Sequence, residues 1–386
     1  MDEWRRVLLG EVASEVTVGH VGPMAQEYKD SGIPFLRSQN VRPHRIDITD
    51  IKYIDDAFNV RLRKSKLQPG DVVTVRTGKP GQTAVVPNWL PSANCSDLVI
   101  TRPGADLDAR WLSYYMNWVT DSHIAGQLVG AVQQHFNVKS AKGLELLMPP
   151  LIEQQAITEI LGALDNKIAA NKQLIDKADE LAHSMWPLAC ESGYTVPLSS
   201  LARFVNGKAF TKDASGTGRI VIRIAELNSG IGPSTVYNDI TVPEDHLARP
   251  GDLLFAWSGS LTVARWFREE AIVNQHIFKV IPTDGRPIWL ADQALRYKLQ
   301  EFKAIAADKA TTMGHIQRRH LDEPVIVPAQ DQVNRIDDLM SSLWERALTA
   351  EQENLHVEST RDQLLPLLLS GKVRVRDAEK VVEEVV

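Results

Sequence analysis

The feature that most constrains the fold is an internal duplication, because the second half of the sequence repeats landmarks of the first half in the same order. The segment QPGDVVTVRTG at Gln68 matches RPGDLLFAWSG at Arg249, and DARWLSYYMNW at Asp108 matches RPIWLADQALRYKL at Arg286. The offsets between matching landmarks range from 178 to 189 residues, as loop insertions would produce. This period is too long for a stacked solenoid and predicts a duplicated domain with pseudo-two-fold symmetry.

Each copy mixes strand and helix patterns. The β-rich runs DVVTVRT and DLLFAW follow Pro-Gly turns, and DLVITRP and HIFKVIP are further strand candidates. The runs WLSYYMNW and WLADQALRYKL have helical periodicity. We therefore predict the α/β fold class, with two mixed α/β lobes that we call lobe one (residues 1–150) and lobe two (residues 189–328).

A long helical segment follows each lobe. Apolar or Asn residues recur with a 4,3 spacing from Ile157 to Met185. The same spacing recurs from Val333 to Leu368, in a longer seam that is less purely apolar because it includes Arg361. This spacing predicts coiled-coil helices at 151–188 and 329–372, followed by a C-terminal tail at 373–386. Antiparallel pairing of the two helices would bring Asn171 and Asn354 close to each other. The alternative is that both stripes pack on the lobes.

The charge distribution leaves nucleic-acid binding open. The formal net charge is −6, whereas DNA-binding proteins usually carry a basic excess. By segment, the net charge is +1 for residues 1–150, −3 for 151–189, +1 for 190–328 and −5 for 329–386. The acidity therefore belongs to the helical segments, and each lobe can still present a basic face.

Composition and motifs exclude several other classes. Two cysteines, Cys95 and Cys190, cannot build a disulfide framework, and no run reaches the roughly 18 apolar residues of a membrane span. We expect a soluble cytoplasmic protein without membrane contact. The sequence has no Walker A loop, no HExxH, no paired CxxC and no GxGxxG fingerprint. We predict no catalytic residue, no metal site and no cofactor in this chain.

The arrangement of motifs resembles one known family. The helix start PPLIEQQAITEILGALDNKI, its weaker copy VPAQDQVNRIDDLMSSLWERAL and the ending LLPLLLSGKVRVRDAE are together similar to the specificity subunit of type I restriction-modification systems. The resemblance covers nearly the whole chain. The second helix start, Ala329-Gln330-Asp331-Gln332, departs from the Pro-Leu-x-Glu-Gln form of the first.

The resemblance implies a non-catalytic, DNA-reading subunit of a phage-defence system. In this family, two target-recognition domains each read half of a bipartite double-stranded DNA site, and an antiparallel helical pair holds them apart. The helices dock two methyltransferase subunits, which bind S-adenosylmethionine, and the full complex adds restriction subunits. The helix starts predict the docking residues Glu153, Gln154, Gln155, Asp331 and Gln332.

The candidate DNA-binding residues lie in polar loops, because phosphate contacts need exposed Lys or Arg and base contacts need Arg, Gln or Asn on protruding segments. Lobe one offers a post-strand loop, a Gly/Pro-rich loop and a loop before the first long helix. Their candidates are Arg37, Gln39, Asn40, Arg42, His44 and Arg45, then Arg76, Lys79 and Gln82, then Gln133, Gln134 and His135.

The matching loops of lobe two carry a different polar set, which suits a different half-site. Their candidates are Arg223, Asn228, Ser258, Ser260 and Arg265, and before the second long helix Thr312, His315, Gln317, Arg318 and Arg319. A solvated loop residue is the ordinary alternative for each of them.

Two other functions compete with the DNA-specificity hypothesis. One is a nucleic-acid enzyme, such as a small methyltransferase or nuclease, whose site has no recognisable motif. The other is a non-catalytic coiled-coil interaction protein whose two lobes bind something other than DNA, which the acidic net charge allows.

Overall fold

The structure is a computed structural model that describes residues 4–120, 136–308, 314–383 and 385. The chain forms two compact units, one made of Met1–Asn166 with Val357–Val386 and the other of Lys167–His356. Each unit therefore contains one lobe and a part of each long helix. None of the helices in the described ranges is both long and apolar enough to cross a membrane.

Lobe one consists of short strands and short helices. Its strands are β1 Arg5–Leu8, β2 Ala13–Val18, β3 Ile33–Leu36, β4 Val41–Arg42, β5 Arg45–Ile46, β6 Lys52–Ile54, β7 Lys66–Leu67, β8 Val72–Thr74, β9 Thr83–Val85, β10 Ala93–Cys95, β11 Val99–Pro103 and β12 Glu145–Met148. Its helices are α1 Leu9–Val12, α2 Asp56–Arg61, α3 Ala109–Thr120 and α4 Val138–Lys142. The strands form two four-stranded sheets, ordered β6-β3-β10-β7 and β2-β11-β8-β9, and β1 pairs with β12.

The first long helix, α5, spans Leu151–Ala189 and leads into lobe two. The strands of lobe two are β13 Tyr194–Pro197, β14 Ala202–Asn206, β15 Arg219–Ile222, β16 Val236–Asn238, β17 Leu247–Ala248, β18 Leu253–Ala256, β19 Thr262–Arg265, β20 Ala271–Val273, β21 Ile277–Pro282 and β22 Pro324–Val327. Its helices are α6 Ile224–Ser229 and α7 Ile288–Asp308. The second long helix, α8, spans Gln330–Leu369, and α9 spans Val375–Glu383 in the predicted tail.

The strand order confirms the duplication. The two four-stranded sheets of lobe two are ordered β16-β15-β20-β17 and β14-β21-β18-β19, and β13 pairs with β22. Each of these strands has a counterpart in lobe one with the same neighbours. The β4–β5 hairpin belongs to lobe one, and the strands described for lobe two include no copy of it.

The repeated Pro-Gly-Asp step starts the same structure in both lobes. Gly70 and Gly251 have φ angles of 89° and 91°, in the left-handed region that a side chain disfavours. The carboxylate that follows closes each turn, because Gln68 N–H donates to Asp71 at 2.9 Å and Arg249 N–H donates to Asp252 at 2.7 Å. The next residues form the buried strands β8 and β18.

The seam residues of the long helices are buried or half-buried, as their spacing predicts. In the first unit, Asp165 pairs with Arg361, while the start of α5 and the end of α8 both lie beside Trp4. In the second unit, Asn171 donates to Glu353 at 2.8 Å, while Ala182 shares a core cluster with Met340. The two helices are therefore antiparallel within each unit.

The interpretation of the seams as lobe-packing stripes also holds in part. The cluster that contains Ala182 and Met340 also contains Phe255 and Phe278 of lobe two, so the stripe packs on that lobe as well as on the other helix. Asn171 and Asn354 are both buried, and Asn171 bonds to Glu353, the residue before Asn354. Helix α5 continues through Pro187 to Ala189, because a proline near the end removes only one backbone hydrogen bond.

Candidate nucleic-acid interface

The structure brings the predicted loops of lobe one together. The hairpin β4–β5 lies against β9, where His44 N–H donates to Thr83 O at 3.0 Å. The Gly/Pro-rich loop before β9 contacts the described residues on either side of 121–135, since Thr120 Oγ1 donates to Gly81 O at 3.2 Å and Phe136 N–H donates to Arg76 O at 3.2 Å. The candidates Gln133, Gln134 and His135 lie outside the described residues.

His44 anchors the hairpin. Its ring stacks on Tyr114 with the centroids 4.3 Å apart, and its Nδ1 lies 3.3 Å from Asn117 Nδ2. Burial lowers the pKa of His44 to about 4, with a smaller lowering from Arg361 and an opposing effect of Asp165. The imidazole is therefore neutral at physiological pH and offers no positive charge to a phosphate. Its φ of 64° places it at the left-handed corner of the hairpin.

The first residues of the same loop are held by an acidic partner. Arg37 Nη2 and Gln39 Nε2 both donate to Asp50 Oδ2, at 3.0 and 2.8 Å. The hydrogen bond from Arg37 is the largest cause of a lowered pKa at Asp50. Asn40 is buried, accepts from Arg37 N–H and donates to Asp47 O at 2.9 Å. The side chains of Arg37 and Gln39 are therefore both paired within the lobe.

Other basic side chains of lobe one make fewer contacts with acidic partners. Arg42 lies 3.6 Å from Asp47 at the base of the hairpin. Arg45 and Lys79 are exposed, and neither has a hydrogen-bond or ion-pair partner within the described part of the chain. Arg76 Nε is buried and has no hydrogen-bond partner in the described ranges, and Gln82 is half-buried. Arg45 and Lys79 are thus the predicted cations of lobe one that are exposed and unpaired among the described residues.

The predicted loops of lobe two also meet. Ser258 and His315 form a β-bridge, Gly259 N–H donates to Gly314 O at 2.8 Å, and Ile316 N–H donates to Trp257 O at 3.1 Å. Thr262 Oγ1 donates to Asn228 at 2.8 Å, which joins the last turn of α6 to the start of β19. Thr312 lies outside the described residues.

The candidates of lobe two differ in whether their side chains are exposed, buried or paired. Arg223 pairs with Glu226 through two of its nitrogens, at 3.0 and 2.6 Å, and its backbone caps α6. Ser258 is buried. The exposed candidates are Asn228, Ser260, His315, Gln317, Arg318 and Arg319.

Arg265 is a correction to the expectation from sequence. Its side chain is only 2% exposed, it binds Glu351 at 2.8 Å, and it lies over the Trp344 ring at 4.6 Å. Asp179 is a further partner at 3.6 Å. The guanidinium is occupied in the core of the second unit, where β19 meets the long helices, and it is not exposed to a phosphate.

Sequence reasoning missed other exposed side chains at the loop cluster of lobe two. Lys208 is exposed and its backbone O accepts from Gln275 N–H at 2.9 Å. The Trp257 ring lies 5.2 Å from the His276 ring and 6.4 Å from the His315 ring. Aligning the two copies residue by residue could have drawn attention to Trp257, because it occupies the position of Arg76.

The predicted docking residues at the start of α5 mostly hold lobe one to the helix. Gln154 is fully buried, accepts from Asp108 N–H at 2.8 Å and donates to Asp106 O and Pro149 O, both at 2.9 Å. Glu153 accepts from the Trp4 indole at 3.0 Å. Gln155 is exposed.

The start of α8 lacks this arrangement. Asp331 is exposed and pairs with Arg335 on its own helix. The Gln332 side chain is half-buried and makes no hydrogen bond among the residues described. The amide at the position of Gln154 is kept as Gln332, but it does not tie lobe two to the helix as Gln154 ties lobe one.

Comparison with known proteins agrees with this arrangement. The family model of the type I restriction modification DNA specificity domain matches residues 1–180. This part of the chain is similar to that domain. The match confirms the resemblance seen in the sequence and covers lobe one with most of α5.

Two relatives extend the comparison. The type I restriction enzyme MjaX specificity subunit of Methanocaldococcus jannaschii is 27% identical over 164 residues, which is 40% of this chain and 38% of that relative's length. The chain thus matches less than half of this curated relative. The crystal structure of the type I restriction-modification system S subunit from M. genitalium aligns over 95% of this chain and 96% of its own, with a TM-score of 0.61 and 14% identity. That likeness shows the fold of the specificity subunits over nearly the whole chain.

Proposed function

We propose that this chain is the DNA sequence-specificity subunit of a type I restriction-modification complex. Each lobe reads one half of a bipartite double-stranded DNA target, and the antiparallel helices set the spacing and dock the methyltransferase subunits. The observation that carries the proposal is the pairing of one strand topology with two different polar loop clusters. A repeated scaffold with different reading residues suits two unlike half-sites.

The contacts proposed for DNA follow from exposure. In lobe one they are Arg45 and Lys79 for phosphates, with Arg37, Gln39 and Arg42 joining when DNA displaces their acidic partners. In lobe two they are Asn228, Ser260, His315, Gln317 and Arg318. His44, Asn40, Ser258 and Arg223 support the loops in our proposal, because their side chains are packed or paired within the lobes.

The chemistry belongs to partners in this proposal. The chain itself transfers no methyl group, S-adenosylmethionine binds to the methyltransferase subunits, and restriction subunits complete the assembly. The complex works in the cytoplasm, where its DNA target lies. Calorimetry of the purified chain should detect no stoichiometric S-adenosylmethionine binding, whereas the complex with the methyltransferase should bind it. Stoichiometric binding to the chain alone would favour the enzyme alternative.

An exposed leucine stripe supports docking on the long helices. Leu174, Leu181 and Leu188 repeat every seven residues on α5 and are 41%, 46% and 67% exposed. They lie outside the buried seam of the second unit, so a partner helix could cover them. We expect Leu181→Glu to weaken copurification of the methyltransferase, and Gln173→Glu, an exposed change on the same helix, to leave it unchanged.

Selection from random DNA tests the function as a whole. The full chain, copurified with its methyltransferase partner, should enrich two short fixed sequences separated by a spacer of fixed length. Binding should weaken steeply as salt rises, because phosphate contacts release counterions. Enrichment of no sequence, or of a single uninterrupted one, would count against the proposal, and the lack of salt dependence would favour lobes that bind something other than DNA.

A further inference from the structure

A turn whose last residue the sequence predicts to lie in a strand contacts the polar loops of lobe two. Asn274, Gln275 and His276 connect β20 to β21, which belong to different four-stranded sheets of the lobe. Gln275 and His276 are exposed, whereas Asn274 is buried. The turn therefore presents two adjacent polar side chains at the junction of the two sheets.

The backbone of this turn is held from several directions. Gln275 N–H donates to Lys208 O at 2.9 Å, Asn274 N–H donates to Ile222 O at 3.2 Å, and Trp257 N–H donates to His276 O at 3.0 Å. The Asn274 side chain accepts from Phe210 N–H at 3.1 Å. A side chain that reads a base must extend from backbone whose position is fixed. The backbone of this turn is fixed, because it joins two strands and is hydrogen-bonded on several sides.

His276 adopts a backbone conformation that side chains disfavour. Its φ is 74°, and a non-glycine residue in the left-handed region is uncommon. Such strain persists where the surrounding structure enforces it, and it is frequent at ligand-contacting sites. At His276 this conformation is held by the hydrogen bond that its carbonyl accepts from Trp257 N–H. The Trp257 ring also packs beside it, with the ring centroids 5.2 Å apart at an interplanar angle of 52°.

The neighbours of the turn complete a surface that suits DNA. Trp257 Nε1 donates to Asn206 at 2.8 Å, which fixes the indole, and the centroid of the His315 ring lies 6.4 Å from that of the indole. Exposed Lys208 lies next to Gln275 in the structure and supplies a positive charge. The Gln275 side chain makes no hydrogen bond to any part of the chain that the structure describes.

We propose that Gln275 and His276 are base-reading residues of lobe two, and that Lys208 contacts the adjacent phosphate. This inference rests on the proposed function. The amide of Gln275 pairs an acceptor with a donor, which matches the N6 donor and N7 acceptor of adenine in the major groove. The imidazole of His276 adds a contact to the neighbouring base pair of the same half-site, and Trp257 holds it in place.

Lobe one cannot make the same contacts. Its residue before β11 that corresponds to His276 is Asp97, and Arg76 corresponds to Trp257. An acidic group at this place does not approach a phosphate, and Arg76 provides no aromatic support. The reading turn is therefore specific to lobe two, so its substitution should affect one half of the target.

The test uses the full chain in complex with its methyltransferase partner and the site that the wild-type complex selects. Gln275→Ala should lower the preference for adenine at one base pair by about tenfold to a hundredfold, as expected for a lost bidentate contact. Gln275→Glu, which can only accept, should shift the preference at that base pair toward cytosine. His276→Asn, which tolerates the left-handed backbone, should loosen the adjacent position of the same half-site.

The controls separate the possible outcomes. Gln300→Ala, an exposed glutamine on α7, should leave the selected site unchanged, and equal melting temperatures of the variants show that the fold is intact. If the wild-type complex selects no bipartite site, the proposed function fails. If it does, and the Gln275→Ala complex selects the same site with the same preference, or loosens both half-sites equally, the reading turn is refuted while the proposed function stands.

Discussion

Replacing Arg265 with methionine should destabilise the second unit strongly. The guanidinium binds Glu351 through two nitrogens, at 2.8 and 3.2 Å, and methionine leaves that carboxylate without its main partner. Removing one member of a buried ion pair costs about 3 to 5 kcal/mol, because the remaining charge stays desolvated. For a unit the size of Lys167–His356 this corresponds to a fall in Tm of about 10 °C.

The destabilisation by Arg265→Met should also depend on pH. Burial already raises the pKa of Glu351, and Arg265 is the largest opposing influence. Without Arg265 the pKa rises further above that of the unfolded chain. A carboxyl whose folded pKa is raised destabilises the fold as pH rises through that pKa. Arg265→Met should therefore cost less near pH 5, where protonation of Glu351 is easier, than near pH 8.

Urea unfolding at both pH values, followed by tryptophan fluorescence, measures this effect. Trp344 stacks on Arg265 and contributes to the signal. Arg335→Met is the matched control, because Arg335 is 69% exposed in a surface pair, and it should change stability by less than about 1 kcal/mol. Arg265→Met could instead lower the free energy of unfolding no more than this control does, or by the same amount at both pH values. In that case Arg265 does not compensate a buried charge, and the burial argument that excludes it from the DNA contacts is wrong.

Three further predictions concern the first unit and DNA binding. Gln154→Ala should cost about 1 to 3 kcal/mol in a denaturant titration, because it leaves buried backbone groups unpaired, whereas Gln332→Ala at the matching position of α8 should cost little. The stability of the first unit should fall as pH drops from about 6.5 toward 4, because the folded pKa of His44 is lowered to about 4, and His44→Asn should reduce this loss in thermal unfolding at each pH. Lys79→Ala should weaken binding to all DNA sequences alike and reduce the slope of log K against log salt by about one, whereas a change at one base position only would mean that Lys79 reads a base.

Part of the candidate site follows from the sequence because it depends on local patterns. The loops of both lobes are visible as Gly/Pro-rich or polar segments after strand-like runs, and the structure gathers several of them in each lobe. The sequence did not predict which of their side chains are exposed and unpaired. Arg37 meets Asp50, 13 residues away, and Arg265 meets Glu351, 86 residues away. His276 was missed because HIFKVIP reads as a strand, whereas β21 begins at Ile277, and Gln275 directly precedes that run.

The sequence by itself determined the duplication, the mixed α/β class and the two long helices. Repeated Pro-Gly-Asp turns and a 4,3 apolar spacing act over a few residues, so they can be read without knowing the rest of the fold. Tertiary structure decided the strand order, the burial of Gln154 and Arg265 and the rigid turn at His276. Each of these depends on groups far apart in sequence, whose desolvation or pairing exists only once the strands and helices are packed together.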